Sequence, residues 1–384
     1  MRDSIGGVAY MNHQIMEYGK FMDHSRVRVI LVKREDDETP RFSEKFKAHE
    51  VVLFNYSAFD NKYRMLKKIS KVINQREGVI VVNDGIELQA IQLFGTKSLV
   101  YSIVHDFYCL KFAFTYYTLI DVFICHTDIY TRTLKSSWLD YPRVDYLPHG
   151  VQINNYVARE TNEEKLKIVF IGRLEESKGT LVLFNIDSML KAQGIEVEWK
   201  IIGNGSLAQA LKEQWKNEKN VSFFSPSKNE EVMEIAKTCD LFIAPSIFEG
   251  YGIALLEAMS CSLVPLVYEL PVGISSILPV DVGFKFSIND IQGFVDTIKL
   301  LNADRMILTQ MKGNAYQFVA KDYNISETSK NYMQSLLFDR ASLPSIKSGK
   351  PGKKIKQFTL VDKWFLPNLV TVQFKKIKNR ITNK

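Results

Sequence analysis

The 384-residue chain is 46% hydrophobic and 24% charged, which excludes a disordered or fibrous protein, and it is too long for one typical core, so two domains are expected. Its formal charge of +7 is unevenly placed: from Ala341 to the end there are eleven Lys or Arg against one acid, Asp362, so residues 1–340 carry a slight negative excess, which argues against a nucleic-acid groove on the globular body. The four cysteines, Cys109, Cys125, Cys239 and Cys261, show neither C-x-x-C spacing nor a disulfide framework, so a reducing cytoplasm is expected.

Short β-branched runs alternate with stretches of helical period from the start. Residues 26–33 (RVRVILVK), 51–54 (VVLF), 78–84 (GVIVVND), 98–104 (SLVYSIV), 121–126 (DVFICH) and 144–148 (VDYLP) predict buried strands, and helices are expected over 60–75 and 127–138. Near-continuous apolar strands predict a parallel sheet covered on both faces. The greasiest stretch, 99–126, is broken by His105, Asp106, Lys111 and Asp121, whereas crossing a bilayer takes about 20 apolar residues in a row. The N-terminus also lacks the basic start, apolar core and cleavage site of a secretion signal.

Residues 153–165 (INNYVARETNEEK) are polar and aperiodic. They read as a linker between a first domain, 1–152, and a second, 166–338. The second domain repeats the pattern, with strands over 167–172, 196–203, 221–224, 240–245, 263–268 and 282–286 and helices such as 206–217 and 229–238. The expected fold class is α/β, with two Rossmann-like, doubly wound domains facing across a cleft. Ligands of such sheets bind at the carboxyl ends of the strands, and a cleft between two sheets can hold a donor and an acceptor.

The chemistry concentrates in 248–261, FEGYGIALLEAMSC. Gly250 and Gly252 forbid a regular helix, so the helix is expected to start near Ile253, leaving Glu249 in the loop and Glu257 in the first turns. The glycines let the backbone approach a ligand, and the helix start offers unpaired N–H groups and the positive dipole end, a seat for phosphate. Carboxylates beside an anion would repel it unless aimed at hydroxyls, from which they accept well. A nucleotide sugar offers both groups. Residue by residue a plainer reading stays open: Glu257 complements the helix dipole and Glu249 is a solvated loop acid.

Residues 167–268 resemble the donor domain of retaining glycosyltransferase family 4, enzymes of the GT-B fold whose signature is glutamate, seven residues, glutamate. The matching blocks are FIGRLEESKG (170–179), WKIIGNGSL (199–207), CDLFIAPSIFEGYGIALLEAMSC (239–261) and the LVPLV strand after them. The resemblance implies that Glu249 holds hydroxyls of the donor sugar and Glu257 the ribose. It implies that the backbone from Gly250 and Tyr251 through Gly252, Ile253 and Ala254 meets the sugar and distal phosphate. Arg173 and Lys178 match the family's basic pair on the diphosphate, where fixed cations lower the barrier to a departing nucleoside diphosphate; an exposed charge pair beside Glu175 and Glu176 is the alternative. Gly203, with Gly205, resembles the family's loop beside the nucleotide, and backbone near Phe224 and Ser225 is expected in the base pocket. No metal and no cofactor are expected.

In the first half, IVHDFYC (103–109) sets His105 and Asp106 just after a strand. The resemblance implies that His105 contacts the sugar near the reacting carbon with Asp106 beside it; a structural histidine is the alternative. His149, in LPHGV (147–151), is expected to be structural. The family opens with a strand, a glycine-rich turn and a helix. Here Gly6 and Gly7 stand at that turn with only MRDSI before them, so a missing or shortened first strand and an upstream start are expected, and Gly7 is placed by resemblance at the substrate. The tail, 339–384, holds a basic connector (345–356) and, beyond Pro367, Val370, Phe374, Ile377 and Ile381 at helical spacing among Lys375, Lys376, Lys378 and Arg380. That composition predicts an interfacial helix on an anionic membrane, with packing against the first domain as the alternative.

The expected function is a retaining, metal-independent hexosyltransferase, cytoplasmic and peripheral at the inner face of the membrane. It would carry a hexose from a UDP- or GDP-linked donor to a hydroxyl of a lipid-linked bacterial cell-surface glycan intermediate. Its partners would be the nucleotide sugar, the glycan acceptor and an anionic membrane surface through 341–384, with no nucleic acid. The rival from another class is a catalytically inactive, membrane-associated nucleotide-sugar-binding subunit.

Overall fold

The computed structural model describes residues 7–19, 28–35, 50–57, 59–83, 85–137, 142–154, 165–226 and 228–336. The basic tail beyond 338, Gly6 and most of the expected linker lie outside them. Contacts divide the chain into two units, one built from the residues up to Leu147 together with those from Ser329 onward, the other from Pro148 to Thr328.

The first unit runs α1 (Gly7–Tyr18), β1 (Arg28–Arg34), β2 (Glu50–Tyr56), α2 (Lys62–Ile73), β3 (Val79–Val82), α3 (Gly85–Phe94), β4 (Leu99–Val104), α4 (Phe107–Tyr116), β5 (Val122–Cys125), α5 (Asp128–Ser137) and β6 (Arg143–Tyr146). All pairs are parallel, as near-continuous apolar strands require. They form two sheets rather than the single one expected, β1-β2 and β3-β4-β5-β6. A cavity of about 630 Å³, walled by Arg28, Val29 and Ile30 of β1 and by Val79, Ile80 and Val81 of β3, lies between them. Apolar runs identify strands, but not which edges meet.

The second unit continues with β7 (Leu166–Ile171), α6 (Val182–Ala192), β8 (Val197–Ile202), α7 (Ala208–Gln214), β9 (Val221–Phe224), α8 (Asn229–Ala236), β10 (Leu241–Ala244), α9 (Ile253–Ser260), β11 (Val264–Tyr268), β12 (Phe284–Phe286), α10 (Ile291–Ala303), α11 (Arg305–Asp322) and α12 (Ile325–Leu336). Its six strands form one parallel sheet in the order β12-β11-β10-β7-β8-β9. The two-residue side-chain period splits β7 between two cores. Leu166, Ile168 and Phe170 pack with Leu183, Ile186 and Leu190 of α6 and with Phe294 and Ile298 of α10. Val169 faces the opposite core with Leu255, Leu256 and Met259 of α9 and Ala315 and Val319 of α11.

Helix α12 crosses the division, and its residues from Ser329 belong to the first unit. Tyr332 joins Met11 and Ile15 of α1 over Tyr101, Ile103, Val122 and Ile124 of β4 and β5, and the Tyr101 hydroxyl donates to the Ser335 carbonyl at 3.1 Å. Residues 329–336, assigned by sequence to the second domain, therefore share the first unit's core. In the second unit one buried ion pair ties α11 to the sheet. Lys312 Nζ lies 2.9 Å from Asp240 Oδ1, while Asp240 Oδ2 accepts the Lys167 N–H at 3.0 Å. No described helix is long and apolar enough to cross a membrane.

Candidate functional site

In the second unit the chain builds outward from β7 through β8 to β9, then returns to β10 and builds the other way to β12. The strand order reverses between β7 and β10, paired through Ile168 with Leu241 and Val169 with Phe242. An open parallel sheet leaves a ligand crevice outside the carboxyl ends of such a pair. A pocket opens there, walled by Ile171 at the end of β7, Ala244 at the end of β10, Lys178, Glu249 and the start of α9 at Gly252 and Ala254.

Local sequence builds each wall. Gly252 has φ 96°, left-handed, and no side chain caps the helix that starts at Ile253, where the sequence places it. The first amides of a helix have no acceptor within it, so this end can meet an anion. Gly179 has φ 63°, and a Cβ there would stand 1.9 Å from the Pro245 carbonyl oxygen. Only glycine lets the loop after β7 press on the loop after β10, and that contact brings Lys178 to Glu249. Lys178 Nζ lies 2.5 Å from Glu249 Oε1, with side-chain exposures of 16% and 28%. The pair thus sets a carboxylate and an ammonium group side by side at the pocket.

The other implied residues are placed as follows. Arg173 is 69% exposed and pairs with Glu175 at 2.9 Å, the geometry of the exposed charge pair, and it is not a pocket wall. Tyr251 contributes no polar side-chain group: its ring is buried and its hydroxyl donates to the carbonyl of His149 at 2.7 Å. His149 is itself buried. Gly203 N–H donates to the Phe224 carbonyl at 2.9 Å, and a Cβ at Gly203 would lie 1.8 Å from the Gly172 carbonyl oxygen, so the loops after β7, β8 and β9 close on one another. Ser225, next in the chain, is exposed.

Glu257 lies in the second turn of α9, buried, and Asn229 at the start of α8 donates to its Oε1 at 2.8 Å. Burial pushes its carboxyl up to about 7, against the lowering by that hydrogen bond. Near neutral pH the group can therefore donate to a hydroxyl as well as accept from one. Sequence reasoning missed Asn229, since no local pattern links positions 28 apart. It also missed Ser275, a pocket wall whose buried hydroxyl has no hydrogen-bond partner among the described residues.

In the first unit His105 Nε2 lies 3.0 Å from Asn83 Oδ1, which also accepts from Asn12 Nδ2 at 2.9 Å. Asp106 caps α4, its Oδ1 accepting the Cys109 N–H at 2.8 Å. An aspartate three residues before that amide is a helix-start signal, so at least one of its oxygens is engaged structurally. Gly7 opens α1.

Parallel, doubly wound sheets with a pocket at a switch point define the class, and the fold is the GT-B fold. Anabaena HepE in complex with UDP and glucose superposes with a TM-score of 0.71 at 16% identity, over 88% of this chain and 97% of that one. The lipopolysaccharide outer core galactosyltransferase WaaB gives 0.66 at 14% identity, over 87% and 98%. Residues 153–318 match the family model "Glycosyl transferases group 1". Among curated proteins, the putative colanic acid biosynthesis glycosyltransferase WcaL of Salmonella typhimurium is 26% identical over 217 residues, 53% of either chain. An Escherichia coli UDP-Gal:alpha-D-GlcNAc-diphosphoundecaprenol alpha-1,3-galactosyltransferase is 24% identical over 221 residues, 53% of this chain and 56% of its own. The chain thus spans about half the length of these curated relatives, and together the matches support the GT-B glycosyltransferase superfamily.

Proposed function

We propose that the protein is a retaining glycosyltransferase that moves a hexose from a UDP-sugar to a hydroxyl of a lipid-linked bacterial cell-surface glycan. The observation that carries the reading is the pairing of Lys178 with Glu249 in the switch-point pocket beside the uncapped start of α9. A diphosphate set against the helix start meets amide donors and the dipole there, with the Lys178 ammonium at hand for the charge that grows as the C1–O bond breaks. Glu249 accepts hydrogen bonds from sugar hydroxyls, and Glu257, donor or acceptor near neutrality, suits the ribose. The acceptor oxygen bonds to C1 on the face the phosphate leaves, and its proton passes to the departing phosphate oxygen. No protein nucleophile is required, and Glu249 is not one.

Uridine is favoured over guanosine by the UDP-bound HepE structure, and a diphospholipid acceptor by the name of the galactosyltransferase relative. The test is UDP release from a panel of UDP-hexoses with a diphospholipid-linked sugar as acceptor, followed by nuclear magnetic resonance of the product anomer. Acceptor-dependent turnover with retained configuration is expected, and Glu249→Ala should lower kcat/KM at least about 100-fold, roughly 3 kcal/mol of barrier. Inverted product would overturn retention. Turnover unaffected by Glu249→Ala would remove the site assignment.

A further inference from the structure

Two adjacent serines follow β11, and only one of them is bonded to its own turn. Ser276 Oγ donates to the Gly273 carbonyl at 2.7 Å, and the Ser276 amide donates to the same oxygen at 3.2 Å. Ser275 is 8% exposed, and its hydroxyl has no hydrogen-bond partner among the described residues. It walls the switch-point pocket together with Lys178, Glu249 and the start of α9. The backbone holds it there. Gly273 has φ 84°, and a Cβ on it would stand 2.8 Å from the Tyr251 carbonyl oxygen, so the loop after β11 is pressed onto the loop that carries Glu249. A buried hydroxyl left unpaired weakens the fold, and native structures rarely keep one without a reason.

We propose that Ser275 selects the donor sugar: one hydroxyl-bearing arm of the hexose enters the pocket and forms a hydrogen bond with the Ser275 hydroxyl, while the ring and the diphosphate stay at its mouth. The interior of the pocket is about 30 Å³, whereas a water needs roughly 10–15 Å³. One hydroxyl or hydroxymethyl group fits there. A pyranose ring does not, and an acetamido arm is too large. The two charged walls, Lys178 and Glu249, pair with each other, so a neutral arm suits the slot better than a carboxylate. Phe170, Phe242, Leu255 and Val267 make much of the remaining lining apolar. In such surroundings a donor that lacks the hydroxyl leaves Ser275 unpaired, and an unpaired buried group discriminates strongly against that donor. The assignment rests on the transferase reading and narrows it, from UDP-hexoses at large to those with a free hydroxyl on the arm that enters the pocket.

The experiment is calorimetric titration of the full chain and of Ser275→Ala with UDP, UDP-glucose and UDP-galactose, and with analogues of the tighter donor that each lack one hexose hydroxyl. Thermal melting of the variant should match that of the wild type, since no bond within the protein is lost. UDP should bind both proteins alike. The tighter UDP-hexose should bind Ser275→Ala on the order of tenfold more weakly than the wild type, and one deoxy analogue should lose about as much on the wild type. That analogue should bind the two proteins equally, because the bond it cannot make is the one the variant lacks. The other analogues should keep the tenfold difference. The proposal is overturned if Ser275→Ala binds every UDP-hexose as the wild type does, which would leave the hydroxyl to a buried water. Equal weakening of UDP and UDP-hexose would move Ser275 to the nucleotide, a clearly lower melting temperature would make it structural, and additivity with every analogue would deny the contact; each overturns it too. None of these results touches acceptor-dependent turnover or its dependence on Glu249, whereas a wild-type chain that binds neither UDP nor UDP-hexose removes the transferase reading and this assignment with it.

Discussion

Burial lifts the Glu257 carboxyl from its ordinary 4.5 to about 7, and that shift couples the residue to folding. Between those two values the folded chain keeps a proton that the unfolded chain releases. Stability from this group is therefore full below about pH 4.5, falls as the pH rises toward 7 and is lost above it. The swing is on the order of 3 kcal/mol. Asn229 donates to Glu257 Oε1 in either protonation state, so desolvation of the charged form causes the loss. Glu257→Gln keeps the shape and cannot ionise. Urea denaturation should find the variant more stable than the wild type at pH 8 by about 3 kcal/mol, with the difference down to about 1 kcal/mol at pH 5 and nearly gone at pH 4. Parallel stability-versus-pH curves for the two proteins would show that Glu257 ionises in the folded state as it does in water. Wild-type affinity for a UDP-sugar, whose diphosphate does not titrate in this range, should in turn depend on pH between 6 and 8, and that dependence should be lost in Glu257→Gln.

At the level of elements, helix α11 is held to the sheet by a charge that cannot stand alone. Lys312 and Asp240 are 6% and 8% exposed, and Asp240 also receives the Lys167 amide at the start of β7. Removing one partner of a buried pair leaves an uncompensated charge, at a cost of about 3–5 kcal/mol. Lys312→Met should destabilise by that amount in urea denaturation, and Asp240→Asn added to it should recover at least half. A double variant no more stable than the single one would place the cost in packing around Lys312 instead. No sequence pattern announced this pair, which joins positions 72 apart. What could be read was local: the strands of the second unit, because each is a short apolar run bounded by polar residues, and the start of α9, because Gly250 and Gly252 break the helix before Ile253. The family pattern located Lys178 and Glu249 but did not reveal their contact, which depends on the Gly179 approach to Pro245. Nor did it separate Arg173, an exposed partner of Glu175, from Lys178. The same limit split the first sheet in two, since strand identity follows from composition and edge pairing does not.

For the whole molecule, each unit closes its own core: Tyr101, Ile103, Val122 and Ile124 in the first, and β7 with its two helical layers in the second. The switch-point pocket is walled by residues of the second unit alone. A ligand that binds only the native state slows opening of the elements it touches, by a factor set by its concentration over its Kd. At UDP a hundredfold above Kd the stabilisation is about 2.7 kcal/mol, close to a hundredfold in exchange rate for amides that exchange by opening of that unit. Hydrogen exchange with UDP alone should therefore show strong protection in β7, in the loop over 172–179, in β10 and through α9. Exchange in β4 and β5 should not change. Protection spread evenly over both units would mean that they open as one cooperative body. Protection confined to β4 and β5 would move the nucleotide to the first unit and take Lys178, Glu249 and the start of α9 out of its site.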